Sequence, residues 1–591
     1  MLRAEVHGAV TVGCRGTLGE HDFDFRGAQL AEACGALFAK DLEIQCVGVT
    51  GCHAGNFQAA RGSSELNAER WQQGAGWMAR QQSAPFAGTL AIAAGETVDL
   101  SSPDLHWSIG SHSHLNRFDD ASLTIVSAKP YVDQGSSALL IGDGSVSSAA
   151  KMLVIADDNL KTGERFIASE GGNATEGFWQ QKNITSSSRL FNMGSSVEGN
   201  NHHLTAERAS QPLLPQDTQD LMANMAKTQG VNTHSDDAGQ RFISQAMDIR
   251  YISEEVLASK IVQSALHLAS VVGVQHSTFM ALSAARHAVE HHLSGIASMP
   301  GAQAATGVNL WATLLSDNSS SRGFSSGRWQ ARSSANLGGL ALGSDYRFDA
   351  GDFGMMTTGL ALNTGGGKST SHGNVSPTRN DFNFWGSSLY SSWQQGALNV
   401  MADVSYTGSR NRMKQQSPAE IEGGSLRARM NSWALSSGIK ASYQWNNKLA
   451  DVTPHAGIHY TRLQSEGFAT HNELGRMFET GRDSQKIWSF PLGVSLSKTF
   501  TTQAGYQVKP LLDLTWTGNS GDVRAKSRSW LPGEEASYSM TDSSITDHSV
   551  FTGNIGVELS HDQLSYSLNY QLNESSHITD NAIYAGIRFA F

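Results

Sequence analysis

The sequence predicts an all-β protein: a 12-stranded antiparallel transmembrane β-barrel, preceded by a lumen-spanning helix and the end of a parallel β-helix. Three observations predict it. First, the stretch Asn581 to Phe591 alternates, with Ile583, Ala585, Ile587, Phe589 and Phe591 on one face and Tyr584, Gly586, Arg588 and Ala590 on the other. Strand side chains alternate with period two, so one face is apolar and needs a cover, which lipid supplies to a barrel. Second, the pattern recurs upstream, in Leu564 to Leu572, Phe551 to Leu559, Val508 to Trp516, Trp488 to Leu496 and Leu398 to Tyr406. Segments of about ten alternating residues separated by polar turns are the signature of a barrel, and their aromatic residues suit the two membrane interfaces. An aqueous β-sandwich shares the alternation but has no use for such aromatic ends. Third, no run of about 18 apolar residues exists, so no transmembrane helix is expected.

Composition fits. Lys+Arg 43 against Asp+Glu 54 gives a net charge of −11, which argues against nucleic acid as a partner. A mean hydropathy of −0.30 does not oppose a membrane barrel, because half of each strand is polar.

Residues 1–88 form a passage with poor periodicity, in which Leu30 to Leu42 is expected to be a short helix. The four cysteines, Cys14, Cys34, Cys46 and Cys52, all lie here; three disulfide pairings are open to them, and the spacing of Cys46 and Cys52 is no CxxC motif. Residues 89–214 show short apolar runs between polar turns, such as Leu123 to Val126 and Met152 to Ala156, at irregular spacings of often about 15 residues. This predicts coils of a parallel β-helix, with a small β-sandwich as the alternative. Gly142 to Ser145, GDGS, reads as a turn and not as a nucleophile site.

Residues 215–305 read as a helical linker. Asp217 to Thr228 and Asp237 to Met247 lack strand alternation, and Ser253 can cap a helix running through Val272. The helix at about 273–294, rich in Ala, Ser and His, suits a hydrated channel better than a dry core. It contains His287, Glu290 and His291, an HxxEH pattern in which two histidines on one helix face can hold zinc. The pattern lies in a histidine-rich run, and a third ligand would have to come from another helix, whereas everything after Gly307 reads as strand. No catalytic, metal-binding or cofactor-binding residue is therefore expected, and the chain is not expected to be an enzyme.

Residues 306–591 hold about twelve strand candidates, an even number as single-chain bacterial barrels require. Twelve tilted strands leave room for a helix, not a broad pore. The polar stretches Asn363 to Asn380, Lys414 to Gly424 and Gly518 to Thr546 are expected to be outer loops.

From about Asp237 onward the chain resembles the translocator unit of classical autotransporters, the type V secretion family. The resemblance is carried by GVQHSTFMALSAARHAVEHHLS (Gly273 to Ser294), VNLWATLL, LGGLALGSDYRF (Leu337 to Phe348), DFNFWGSSLYSSW (Asp381 to Trp393), DVTPHAGIHYTRL (Asp451 to Leu463), IWSFPLGVSLS (Ile487 to Ser497) and the terminal IRFAF, in that order. Upstream, Leu160 to Ser210 is similar to the end of an autotransporter passenger. The resemblance implies an outer-membrane protein that exports its own passenger, displays it at the cell surface and needs no nucleotide. It implies an adhesin-type passenger, a host or cell-surface ligand, and outer-membrane lipid and the barrel assembly machinery as partners. Ile587, Phe589 and Phe591 would be the assembly signal. Passenger-borne hydrolysis and a simple outer-membrane channel are the alternatives. Asn232 and Asn309 are isolated, so no paired asparagines of the kind self-cleaving members use lie at the lumen-helix end, and a tethered passenger is expected. The start MLRAEVHGAVTVGC has no basic region followed by an apolar stretch, and the run before the linker is short for a passenger. A truncated or fragmentary sequence is therefore expected.

Overall fold

The computed structural model describes residues 151–156, 159–170, 183–199, 201–297, 306–326, 329–372 and 377–591, together with short strands between residues 11 and 146. Two compact units result, one mainly before Glu255 and one mainly after it.

In the first unit the short strands pair in parallel. Thr97–Leu100, Thr124–Ala128, Lys151–Ile155 and Ile184–Ser186 form one such sheet, and Thr97, Thr124 and Lys151 stand in register, a return every 27 residues. Trp107–Ile109, Leu139–Ile141 and Arg165–Glu170 form a second, and Thr89–Ala91, His114–Leu115 and Ser145–Val146 belong to a third. The chain visits the three sheets in rotation. The short spacing in the sequence is thus the spacing between faces, and a full circuit takes 25 to 32 residues. An antiparallel hairpin, Phe191–Glu198 with Asn201–Arg208, then pairs with Arg165–Glu170 and ends the parallel stacking. Nearby, the buried Asp248 accepts hydrogen bonds from Ser187 Oγ (2.9 Å), Arg250 Nε (2.9 Å) and Arg250 Nη2 (2.8 Å).

Two expectations for this region need comment. Within Leu30 to Leu42, Ala36–Phe38 is a strand paired antiparallel with Glu43–Gln45, not helix. Gly35 lies inside the expected helix, where glycine costs about 1 kcal/mol relative to alanine. Cys14, Cys34, Cys46, Cys52 and Gly142 to Gly144 lie outside the described residues.

The helices are α1 (Gln216–Thr228), α2 (Ala238–Ala246), α3 (Glu255–Leu266), α4 (Leu268–Val271) and α5 (Val274–Ala297). Helix α3 begins two residues after Ser253, and α5 runs about a turn beyond its expected end.

The second unit is a closed antiparallel barrel of twelve wall strands. They are β1 (Gly307–Ser326), β2 (Trp329–Asp349), β3 (Met355–His372), β4 (Thr378–Gln395), β5 (Leu398–Gln415) and β6 (Leu426–Tyr443). The ring continues through β7 (Asp451–Ser465), β8 (Asp483–Ser497), β9 (Gln507–Gly521), β10 (Ser549–His561), β11 (Leu564–Ser575) and β12 (Ile578–Ala590). Strand β12 closes the ring on β1, from Asn309 opposite Ala590 to Ser321 opposite Ile578.

The alternation sorts side chains as period two requires. Leu568 (54% exposed), Ile555 and Leu492 point outward, whereas Asn569, Asn554 and Thr515 point inward and are buried. Two aromatic rows border the aliphatic band. One holds Trp385, Tyr406, Trp433, Tyr460 and Trp488, with neighbouring ring centroids 4.8–6.3 Å apart. The other holds Tyr346 with Phe348, Tyr443 with Trp445, and Phe589 with Phe591, at 4.7–6.0 Å. The rows stand about nine residues apart along tilted strands, or about 23 Å, which matches an outer-membrane apolar band. The ends of β1 and β12 and tight turns such as Gly396 lie at the second row. Long extensions lie beyond the first. Short turns face the periplasm and long ones the exterior, which orients the barrel.

Lys414 to Gly424 is loop after Gln415, whereas the other two expected outer loops are largely strand. Asn363–His372 belongs to β3, Thr378–Asn380 to β4 and Gly518–Gly521 to β9, and Arg524–Trp530 pairs with Tyr538–Ser544 as a hairpin. Beyond the lipid neither face needs to be apolar, yet the backbone still needs partners, so pairing continues where the hydrophobic pattern stops.

Candidate functional site: the lumen helix and its socket

The barrel interior holds α5. Its Ala281, Ala284 and Ala288 are buried against the wall together with Trp311, Phe382, Phe384 and Tyr584. Alanine lets the helix approach the wall closely, and glycines on the wall make room for rings. The ring of Tyr390 lies where a Cβ on Gly359 would meet it at 2.6 Å, and Phe384 lies 2.9 Å from that position on Gly339.

Polar groups hold the helix at three levels. At the outer end, His276 Nδ1 donates to the Ile545 carbonyl (2.8 Å) and Ser319 Oγ donates to His276 Nε2 (2.7 Å). Thr278 Oγ1 meets Ser432 Oγ at 2.7 Å. At the inner end the Asp345 carboxylate is fully buried. It accepts from His292 Nε2 (2.5 Å), Asn309 Nδ2 (2.8 Å) and Tyr390 Oη (3.0 Å), while Trp311 Nε1 donates to Tyr390 Oη at 2.7 Å. The His292 ring stacks on Trp311 with centroids 4.8 Å apart. The last carbonyls of a helix have no partner within it. Here Arg347 Nη1 donates to the Ile296 carbonyl (3.1 Å) and Gln394 Nε2 to that of Ala297 (2.9 Å).

The HxxEH residues do not converge. Glu290 faces Arg286 and His287 on its own helix and Lys440 and His459 on the wall, at 3.7, 3.7, 3.7 and 3.9 Å. His291 turns away toward Tyr584, with centroids 5.3 Å apart, and toward Asn554 Nδ2 at 3.4 Å. The carboxylate is thus an electrostatic contact between helix and wall. Among the described residues no group of three or more His, Cys, Asp or Glu side chains is placed to hold a metal. A polar cavity of about 260 Å³ remains beside the helix, reached by Glu290, His455, Lys509 and Asp513.

The inner-end anchor was not among the expected site residues. Its signal was present in LGSDYRF, where Asp345 and Arg347 fall on the face opposite Leu342 and Tyr346. Charges at inward positions of a barrel strand need partners in the lumen.

Ile587, Phe589 and Phe591 share the outward face at the periplasmic rim, and Phe591, 64% exposed, donates its backbone N–H to the Val308 carbonyl at 2.9 Å. This is the closing seam of the ring.

Residues 310–571 match the family model described as autotransporter beta-domain. The chain carries an autotransporter β-domain. Such domains reside in the outer membrane, where this barrel belongs. An extracellular serine protease of Serratia marcescens is 24% identical over 259 residues, which is 43% of this chain and 23% of the relative. The chain therefore spans under a quarter of the length of that relative. Among solved structures, the beta domain of the Bordetella autotransporter BrkA is 14% identical, covering 48% of this chain and 100% of its own, with a TM-score of 0.37. The translocator domain of the autotransporter NalP from Neisseria meningitidis is 14% identical, covering 55% and 100%, with a TM-score of 0.39.

Proposed function

We propose that this protein exports its own amino-terminal part through the outer membrane and holds it at the cell surface. The observation that carries this is a helix seated in a closed barrel, entering from the long-loop end and ending at the periplasmic rim beside Arg347 and Gln394. A chain that passes outward ends its journey in that arrangement. The exported part is read as the end of a parallel β-helix, whose three-sheet rotation and closing hairpin suit a segment that folds outside and so resists sliding back. No nucleotide is required. The barrel assembly machinery recognises the seam strand through Ile587, Phe589 and Phe591. The passenger is read as adhesin-type, binding a host or cell-surface ligand, and not as an enzyme.

The test is protease shaving of intact cells expressing the chain behind a supplied signal peptide, with both ends blotted. A protected, heat-modifiable fragment running from about the lumen helix to Phe591, with the amino-terminal part digested, supports the proposal. Digestion of the whole chain only after lysis, with a soluble distribution, overturns it. One observation favours a second reading: the Serratia relative is named a serine protease. Labelling of residues before α1 by a serine-directed covalent probe would establish a hydrolytic passenger instead.

A further inference from the structure

The outward face of β4, β5 and β6 carries cations in rows just outside the outer aromatic row. Trp385, Gly408 and Trp433 stand opposite one another on these strands. One outward step beyond comes Arg410, flanked by Asn383 and Asn431; a second step brings Arg412 opposite Arg429; a third brings Lys414 between Arg379 and Arg427. All six basic side chains are exposed. None has an ion-pair partner among the described residues. The acidic groups nearby are Asp381, which lies between Lys368 and Arg412, Glu420 and Glu422 on the β5–β6 connection, and Glu466, which accepts from Asn431 Nδ2 at 3.0 Å. Like charges directly opposite on neighbouring strands destabilise a sheet. The third row carries three cations, and the second carries two beside Asp381, so the face keeps an excess of positive charge that an outside anion would offset.

The location limits what that anion is. Each outward step is about 6.6 Å along a tilted strand, so the rows lie about 5–15 Å beyond the aromatic residues that mark the edge of the hydrocarbon. That is headgroup depth in the outer leaflet. Arginine forks match phosphate geometry. On β1 and β2 the outward residues in these rows are Ser316, Asn318, Ser320, Ser334 and Asn336, whereas Lys368 on β3, Arg462 on β7 and Lys486 on β8 add single exposed cations to either side of the patch.

We propose that the outer face of β4–β6 binds the phosphates of a phosphorylated glycolipid of the outer leaflet, and that the bound lipid neutralises the like-charged rows. The inference rests on the outer-membrane placement and not on what the passenger does.

The test uses the full chain in nanodiscs of phosphatidylcholine, with bis-phosphorylated lipid A or its dephosphorylated form added. Native mass spectrometry reads the bound lipid. The variant is Arg412→Gln/Lys414→Gln/Arg427→Gln/Arg429→Gln, with heat-modifiability in plain phosphatidylcholine confirming a folded barrel. A cation near a charged membrane surface contributes about 1 kcal/mol, or about fivefold in affinity. The expected result is preference for the phosphorylated lipid and a loss of roughly 600-fold in the variant, four cations at about fivefold each. Equal retention of both lipids, unchanged binding by the folded variant, or full displacement of the lipid by inorganic phosphate would overturn the proposal. If the variant fails to fold, the comparison of phosphorylated with dephosphorylated lipid on the parent chain decides. Failure here with protected barrel fragments in the shaving assay would leave the export function standing.

Discussion

Removing the Asp345 carboxylate should release the inner half of the lumen helix from the wall. The carboxylate accepts three hydrogen bonds, from His292, Asn309 and Tyr390, and its side chain is fully buried. Hydrogen bonds to a charged group contribute about 1.5–3 kcal/mol each, and stripping one partner from a buried polar cluster costs about 3–5 kcal/mol in all. For Asp345→Ala a cost of about 3 kcal/mol is expected. Asp345→Asn keeps two acceptor sites' worth of geometry on one oxygen and should cost about 1 kcal/mol. For a domain of this size about 3 kcal/mol lowers the midpoint by roughly 6–12 °C. The assay is loss of the heat-modified band in a temperature series, joined to planar-bilayer conductance, which should rise as the helix end loosens. His292→Ala added to Asp345→Ala should cost little more, because the two act through one contact. A midpoint within 2 °C of the parent, or full additivity of the two changes, would refute the anchoring role.

Two further outcomes are expected. A Cβ on Gly295 of the lumen helix would stand 2.8 Å from Arg588 Nη1 and 3.1 Å from Glu558 Oε2, so Gly295→Val should push that ion pair apart and cost about 1–3 kcal/mol, read in the same temperature series. In the first unit, burial, and then the neighbouring His203, hold the His202 imidazole below its ordinary value. Its neutral form is favoured when folded, so its contribution is present above about pH 6.5 and lost as pH falls below it; the protection factors of the hairpin amides should fall between pH 7 and pH 5, and His202→Gln should flatten that dependence.

Much of the barrel could be read from the chain because lipid imposes a strict rule. Leu564, Tyr566, Leu568, Tyr570 and Leu572 share a face in the sequence and all point outward in the structure. The rule ends where the lipid ends, which is why Asn363–His372 looked like a loop and is strand. The helix in the lumen was legible from its alanines and histidines, but its partners were not. Asp345 and His292 lie 53 residues apart, and only the barrel register brings them together. The histidines that drew attention as a zinc pattern serve different neighbours, because a helix in a socket is surrounded on all sides and each face answers to a different strand. In the first unit the circuit was hidden because each turn has three short runs of unequal spacing and its own length varies from 25 to 32 residues.

The capping of α5 by the wall also sets a position. Arg347 and Gln394 are aimed at the carbonyls of Ile296 and Ala297 and at no others along the helix. Moved by one residue, the helix would rotate by about 100° and rise about 1.5 Å, and both side chains would face the wrong group. The barrel therefore acts as a detent with a single notch, and the lumen helix has one register in its socket.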